Sequence, residues 1–425
     1  MRAGEGRHVA VIGAGIEGVA SAVELLRAGH RVTLLDPGKP GGEQAASYGN
    51  AGWLSTMSVI PPSAPGVWRK VPGYLSDPLG PLAIRWRRLP AALPWLLRYI
   101  AAGSTEAKIL RTAQALRPLL KDSPLLHAAL AREAGVPELV EQRGLLNVYP
   151  SRAAFEAEAL SWRVRRAVGI EWQELEGEAL RAAEPDLNPA FGFAVLVGEA
   201  GRCLDPGGYV AALAAHAEAQ GAALRPVAAR GLRIEGGRLR GVALADGSQL
   251  DCDAAVISCG ARSVPLAAQA GDRVPLETER GYHVVLRGTQ LGPQRSMMLS
   301  TAKMAVNPMR GGLRAAGQVE IAGLDAAPDW RRAEILRDHL LAAFPDLPRP
   351  FPAERISFWM GHRPSTPDAL PVLGPSRATP DVVHAFGHGH VGLVAAARTG
   401  RLVAQMLSGR EPEIPVAPFA ASRFS

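Results

Sequence analysis

The feature that most restricts this chain is six residues long. Gly13-Ala14-Gly15-Ile16-Glu17-Gly18 follows an apolar, β-branched run, His8–Ile12, and precedes a helix-forming stretch, Val19–Ala28, that Gly29 stops. A second apolar run, Arg31–Leu35, ends at Asp36. Strand, glycine turn, helix and strand within about thirty residues make a βαβ unit. Gly13 permits the tight turn, Gly15 lets backbone approach a pyrophosphate, and Gly18 lets the helix lie close on the strand. The helix N-terminus adds N–H donors and a positive dipole. Asp36 is placed to accept hydrogen bonds from adenosine ribose hydroxyls. The unit implies a dinucleotide site but does not separate NAD from FAD, and Glu17 does not decide between them.

The chain has 425 residues, enough for two or three domains. Helical stretches are expected near Thr105–Glu133, Ala153–Val168, Glu176–Ala183, Pro206–Gly221 and Trp330–Phe344. Short strands separated by glycine turns run from Gly231 to Leu250 and lead into a buried strand at Val256–Ser258. A strand-rich block spans Tyr282–Ile321, with a Gly311-Gly312 turn, and Ser357–Leu407 returns to strand, glycine loop and helix. The expected class is α/β (α+β overall). A Rossmann-like cofactor domain would comprise 1–60, 200–270 and 357–425. A discontinuous substrate domain, 61–199 and 271–356, would be built on a mostly antiparallel sheet.

Net charge is +7, but the arginines are dispersed and no basic run is long. That argues against a nucleic-acid partner. Three cysteines, Cys203, Cys252 and Cys259, show no metal-ligand spacing, and the odd count argues against a disulfide framework. No metal is expected. The first residues carry no apolar signal region, and no apolar run is long enough to span a bilayer. A cytoplasmic location follows as the expectation, with attachment to the inner face of the cell membrane left open.

Three further segments point to a flavin. Ala46-Ser47-Tyr48-Gly49-Asn50-Ala51-Gly52 is a small-residue stretch against which a flat ring could lie. Val256–Ala261 is a buried strand ending in glycine. Phe386-Gly387-His388-Gly389-His390-Val391-Gly392-Leu393 leads into a helix. With the first loop, these resemble the D-amino acid oxidase-like family of FAD-dependent oxidoreductases, which holds D-amino acid oxidases and dehydrogenases, glycine oxidase and sarcosine oxidase. The SxxGNAG stretch, and Trp359-Met360-Gly361-His362-Arg363-Pro364 with Pro367-Asp368, look most like bacterial D-amino acid dehydrogenases.

The resemblance implies FAD and places its contacts. Gly13, Ala14, Gly15, Ile16, Glu17, Gly18, Asp36 and Pro37 would hold the pyrophosphate and ribose. Ser47, Asn50, Ala51 and Gly52 would line the isoalloxazine, and Val227 would sit by the adenine half. Cys259 and Gly260 would complete the dinucleotide site. Gly387, His388, Gly389, Val391, Gly392 and Leu393 would bring backbone N–H groups and a helix N-terminus to the flavin pyrimidine edge. There a fixed dipole favours the charge that reduction creates. The imidazoles of His388 and His390 are read as shaping the loop.

An arginine at the position of Arg363 grips the substrate carboxylate in the resembled family, and its planar fork suits a bidentate pair. In Glu279-Arg280-Gly281-Tyr282-His283, strand alternation lets only one of Tyr282 and His283 face a substrate. Tyr282 is the residue chosen, because a phenol can close a small pocket, and a core aromatic is the other reading. The implied reaction is hydride transfer from Cα of a small D-amino acid to flavin N5, with D-proline or a hydroxy-D-proline as candidates. Two alternatives stand: an oxygen-using oxidase of glycine, sarcosine or another secondary amine, and a flavin-binding subunit of an electron-transfer complex.

The stretch Val67–Ile100 mixes Trp68, Trp86 and Trp95 with Arg69, Lys70, Arg85, Arg87, Arg88 and Arg98. A basic, tryptophan-bearing amphipathic segment can lie in a lipid interface, which would suit electron delivery to a quinone or another carrier. Equally, proline-broken segments covering the substrate domain would place the tryptophans in a core.

Overall fold

The βαβ unit read from the sequence is the centre of a six-stranded sheet in the computed structural model, which describes residues 6–425 apart from 71, 72, 74, 75, 78 and 81. Five residues of the N-terminal reading and six of the 67–100 stretch therefore lie outside the described residues. Strand order is Ala223–Arg225, Arg31–Leu35, His8–Ile12, Ala254–Ile257, Val382–Phe386 and Val372–Pro375. The first five are parallel, and Val372–Pro375 is antiparallel at the edge. Parallel strands covered on both faces must be apolar throughout rather than alternating, and Val9, Val11, Val32, Leu34, Val256 and Val383 are all fully or almost fully buried.

Helix Ile16–Arg27 packs on this sheet and against the C-terminal helix Gly392–Leu407. Glycines allow both approaches, Gly18 that to the loop and strand and Gly400 that between the helices. A Cβ on Gly18 would sit 1.8 Å from the Gly13 carbonyl oxygen, and one on Gly400 would sit 2.7 Å from that of Ala20. The helix expected over Thr105–Glu133 divides into Glu106–Leu120 and Ser123–Glu133, because Asp122 takes a left-handed conformation (φ 62°) between them.

The second large sheet has nine strands. Its order is Ile356–Ser365, Glu277–Leu286, Gly312–Ile321, Met304–Met309, Ser296–Leu299, Leu145–Tyr149, Phe193–Val197 and Gln173–Glu176, with Leu82–Ile84 also pairing with Gly312–Ile321. Most pairs are antiparallel, as expected. One correction concerns a boundary. Residues 357–365 were assigned to the cofactor domain, but strand Ile356–Ser365 pairs with Glu277–Leu286 along its whole length. An apolar stretch before a glycine loop has the same signature in either sheet, so sequence could not place it.

Register errs once in this sheet, at a useful point. Arg280 faces Glu320 while Tyr282 faces Gly317, so Gly312–Ile321 carries one extra residue. Gln318 absorbs it with φ 59°. Such bulges re-aim local groups.

Candidate active site

The carboxyl ends of five parallel strands deliver five loops to one edge of the six-stranded sheet. These are Gly13–Gly18 after His8–Ile12, Asp36–Pro37 after Arg31–Leu35, Val227 after Ala223–Arg225, Cys259–Gly260 after Ala254–Ile257, and Gly387–Val391 after Val382–Phe386. Open α/β sheets bind ligands at that edge. Asp36 supports the first loop, its Oδ2 accepting from Ala14 N at 2.8 Å and its Oδ1 from Gly38 N at 2.8 Å. Ser47 Oγ accepts from Ile16 N at 3.1 Å, which pins the small-residue stretch to the helix start. Neither Gly15 nor Val391, the residues preceding the two helices, caps with a side chain. The first-turn N–H groups of both helices have no intrahelical acceptor.

Opposite lies one face of the nine-stranded sheet. Directly opposed residues share a face, and the pairs Glu279–Arg363, Gly281–Gly361 and His283–Trp359 all lie on this one. Arg363 crosses Gly281 so closely that a Cβ there would meet Nη2 at 2.3 Å. Arg363 Nη1 donates to the Gln318 carbonyl at 3.2 Å, the group turned out by the bulge. Burial lowers the guanidinium's pKa and the Glu279 charge raises it. Glu279 itself is pushed up by burial, accepts from Ser365 Oγ at 2.8 Å, and is pulled down by Arg363. At the other end, His283 stacks on Trp359 with centroids 5.1 Å apart, and its Nδ1 lies 3.1 Å from the Gly49 carbonyl. Arg314 donates to the Asn50 and Tyr48 carbonyls, and Asn307 to that of Ala51. The sheet face is thus bonded to the 46–52 stretch, and that stretch to the first helix.

The sequence family can now be stated. Residues 8–406 match the DAO family, described as FAD dependent oxidoreductase. The chain belongs to that family. A D-amino-acid oxidase from Bradyrhizobium diazoefficiens is 63% identical over 420 residues, covering 99% of both chains. A D-amino acid dehydrogenase from Cereibacter sphaeroides is 32% identical, covering 98% of this chain and 95% of its own. Among solved structures, glycine oxidase from Geobacillus kaustophilus shares the fold at a TM-score of 0.72 and 22% identity, covering 99% of both chains.

As an FAD-dependent oxidoreductase, the chain must present a dinucleotide cradle, and the residues present fit one. Gly15 has open space in front of its backbone, the nearest side-chain atom to a Cβ there being Ser47 Oγ at 3.5 Å. Several residue assignments change in detail. Ala14 N and Ile16 N are already bonded inside the protein, leaving Gly15, Glu17 and Gly18 to offer N–H groups. Gly389 N donates to the Pro364 carbonyl and Val391 N to that of His388. The donors facing a pyrimidine edge would therefore be those of Gly392 and Leu393. The Glu17 carboxyl turns away from the loop into the helix–helix interface, 3.3 Å from His388 Nε2. His388 is buried there, as a loop-shaping residue would be.

Tyr282 is the main correction. It lies on the opposite face, 1% exposed, packed in a core with Leu336 and Leu340 of helix Arg331–Ala343. Its hydroxyl donates to Glu320 Oε2 at 2.7 Å and accepts from Asp329 N at 3.1 Å. Alternation admitted one residue of the pair, and the structure turns His283 inward instead. His390 carries a property that the loop motif did not show. It is exposed on the cofactor loop, and the charge of Arg363 acts on it. The ring keeps a solvent-accessible face, but desolvation by the protein packed around the rest of it, and then that charge, push its pKa down to about 4. Sequence gave no sign of this because only the bond from Gly389 to Pro364 brings His390 beside Arg363.

Proposed function

We propose that this protein oxidises D-amino acids, releasing an imino acid that water converts to a 2-oxo acid, or a cyclic imine from a cyclic amine. The carrying observation is the Arg363 guanidinium, held over Gly281 with a single protein hydrogen bond among the described residues. Its remaining N–H groups suit a bidentate carboxylate and would fix the orientation of Cα. The 63% identical relative named a D-amino-acid oxidase supports the substrate class. FAD, when bound, supplies the acceptor for the substrate hydride. The chain's own part is to clamp the carboxylate at Arg363 and to bound the side chain with His283 and Trp359. Neutral His390 leaves the substrate amine free of a second fixed cation. The flat Trp359 indole, which lies over Gly361 and Gly49, supports a ring-bearing substrate such as D-proline or a hydroxy-D-proline.

Electron delivery to a membrane quinone is supported by exposed Trp68, Trp86, Leu93 and Leu97 among the basic residues of 67–100. Trp95 by contrast is buried, its indole N–H bonded to the Ser365 carbonyl. No helix among the described residues is long and apolar enough to cross a membrane. Oxygen is the second acceptor reading, favoured by the oxidase name of the same relative. The deciding experiment is anaerobic flavin bleaching by a panel of D- and L-amino acids, including D-proline and the hydroxyprolines. Bleaching by L-isomers alone would overturn the substrate class. Hydrogen peroxide formed in air would assign oxygen as acceptor.

A further inference from the structure

Glu17 is a buried acid that no step above uses. It occupies the first turn of helix Ile16–Arg27 and is 8% exposed. Neither carboxyl oxygen makes a close hydrogen bond among the described residues, and Thr399 supplies a weaker polar contact that pulls the carboxyl's pKa down against the larger effect of burial. The nearest polar groups come from the other helix and its loop. His388 Nε2 lies 3.3 Å from Glu17 Oε1, and the same Nε2 lies 3.2 Å from Thr399 Oγ1. Among the described residues, His388 is the titratable side chain paired with Glu17. On Glu17's own helix the next acid, Glu24, is engaged by Arg27 and Arg401.

A carboxylate in a helix's first turn is normally stabilised by the dipole and free N–H groups. Here those N–H groups point to the loop edge where the dinucleotide pyrophosphate would lie, and the carboxyl points the other way. An unpaired buried charge is costly. Burial raises the Glu17 pKa well above the ordinary carboxylate range, and burial drives His388 down to about 3. Both groups are then neutral, with the Glu17 carboxyl hydrogen able to bridge to His388 Nε2 or Thr399 Oγ1. The pyrophosphate brings two further negative charges to the same helix terminus, and like charges across a few ångströms of protein repel strongly.

We propose that Glu17 is a proton-linked gate on cofactor retention: the protein holds FAD with the Glu17 carboxyl protonated and releases it as that proton is lost. The step is a simple exchange. Ionising Glu17 sends one proton to solvent, no bond to FAD forms or breaks covalently, and the pyrophosphate then faces a carboxylate behind the helix terminus. The inference rests on Gly13–Gly18 holding the pyrophosphate.

The test uses the holoenzyme, diluted in buffers from about pH 6 to 9, with free FAD read by its fluorescence at equilibrium. Far-UV circular dichroism confines the comparison to pH values where the fold is intact. Wild type should show an apparent Kd that rises with pH, approaching about tenfold per unit above the Glu17 pKa. Glu17→Gln, which keeps the shape and cannot ionise, should hold FAD with a Kd independent of pH. A second readout needs no variant: FAD rebinding in weakly buffered solution should take up protons at high pH, towards one per FAD. Asp36→Asn tests the underlying site, and should weaken FAD by the same factor at every pH. A flat wild-type profile with no proton uptake overturns the gate. An unchanged Kd in Asp36→Asn overturns the site instead.

Discussion

Replacing Arg363 with alanine tests the substrate reading most directly. The guanidinium donates once within the protein, to the Gln318 carbonyl, so four of its five N–H groups remain, enough for a bidentate carboxylate. Hydrogen bonds to a charged partner are each worth about 1.5–3 kcal/mol. Losing a bidentate pair should then cost about 3–4 kcal/mol, which is two to three orders of magnitude in kcat/KM. Glu279 sharpens the effect. Arg363 is the cation that lowers the pKa of its buried carboxyl, and without it an incoming carboxylate meets that acid unshielded. The loss should fall on KM and on the affinity of simple carboxylate inhibitors, measured by perturbation of the flavin spectrum. Arg363→Lys should restore only part, because an ammonium is a point charge without the fork. Flavin content should stay at wild type, since Arg363 bonds to the nine-stranded sheet. A KM change below about threefold, or loss of flavin, would refute the assignment.

Tyr282→Phe should lower Tm by the equivalent of about 1–2 kcal/mol, since the Glu320 and Asp329 partners lose a buried bond. Its kcat/KM should stay unchanged, and a tenfold fall would return Tyr282 to the substrate face. Gly18→Ala should abolish FAD retention, because its Cβ would meet the Gly13 carbonyl oxygen at 1.8 Å; yellow protein at wild-type yield would contradict the packing. Three buried histidines, His127, His283 and His388, are driven by burial to about 4, 3 and 3. They stay neutral in the fold while the unfolded chain protonates below about 6.5, so their contribution is present at neutral pH and lost as pH falls towards 4. Unfolding free energies from urea titrations should drop by on the order of 1 kcal/mol per pH unit for each histidine as pH falls from about 6.5 to 5, and an unchanged free energy would show that they are not held neutral.

The cofactor side was legible in the sequence because its signals are local. A glycine at position 13 or 387 is demanded by the turn it makes, and Asp36 stands one residue beyond a strand that the apolar run defines. The substrate side depends on long-range register. Alternation showed that Tyr282 and His283 face opposite ways, but the inward face is set by helix Arg331–Ala343, which packs some fifty residues downstream. The bulge at Gln318 has no composition signature, and it is what aims a carbonyl at Arg363. His390 looked like one more loop residue until the pairing of Ser365 with His388 drew its loop alongside strand Ile356–Ser365.

That pairing has a mechanical consequence. Arg363 and the cofactor loop are separated by a single residue step on one continuous backbone ruler: Arg363 on the strand, then Pro364 accepting from Gly389, then Ser365 bridged to His388. The spacing between Arg363 and the cofactor loop is thereby set by backbone bonds rather than by side-chain packing. Side-chain exchanges at His283 or Trp359, which sit off the ruler, can reshape the substrate compartment while the reacting carbon keeps its alignment. New substrate preferences are therefore best sought there, and insertions within 363–365 or 387–390 are the changes this enzyme should tolerate least.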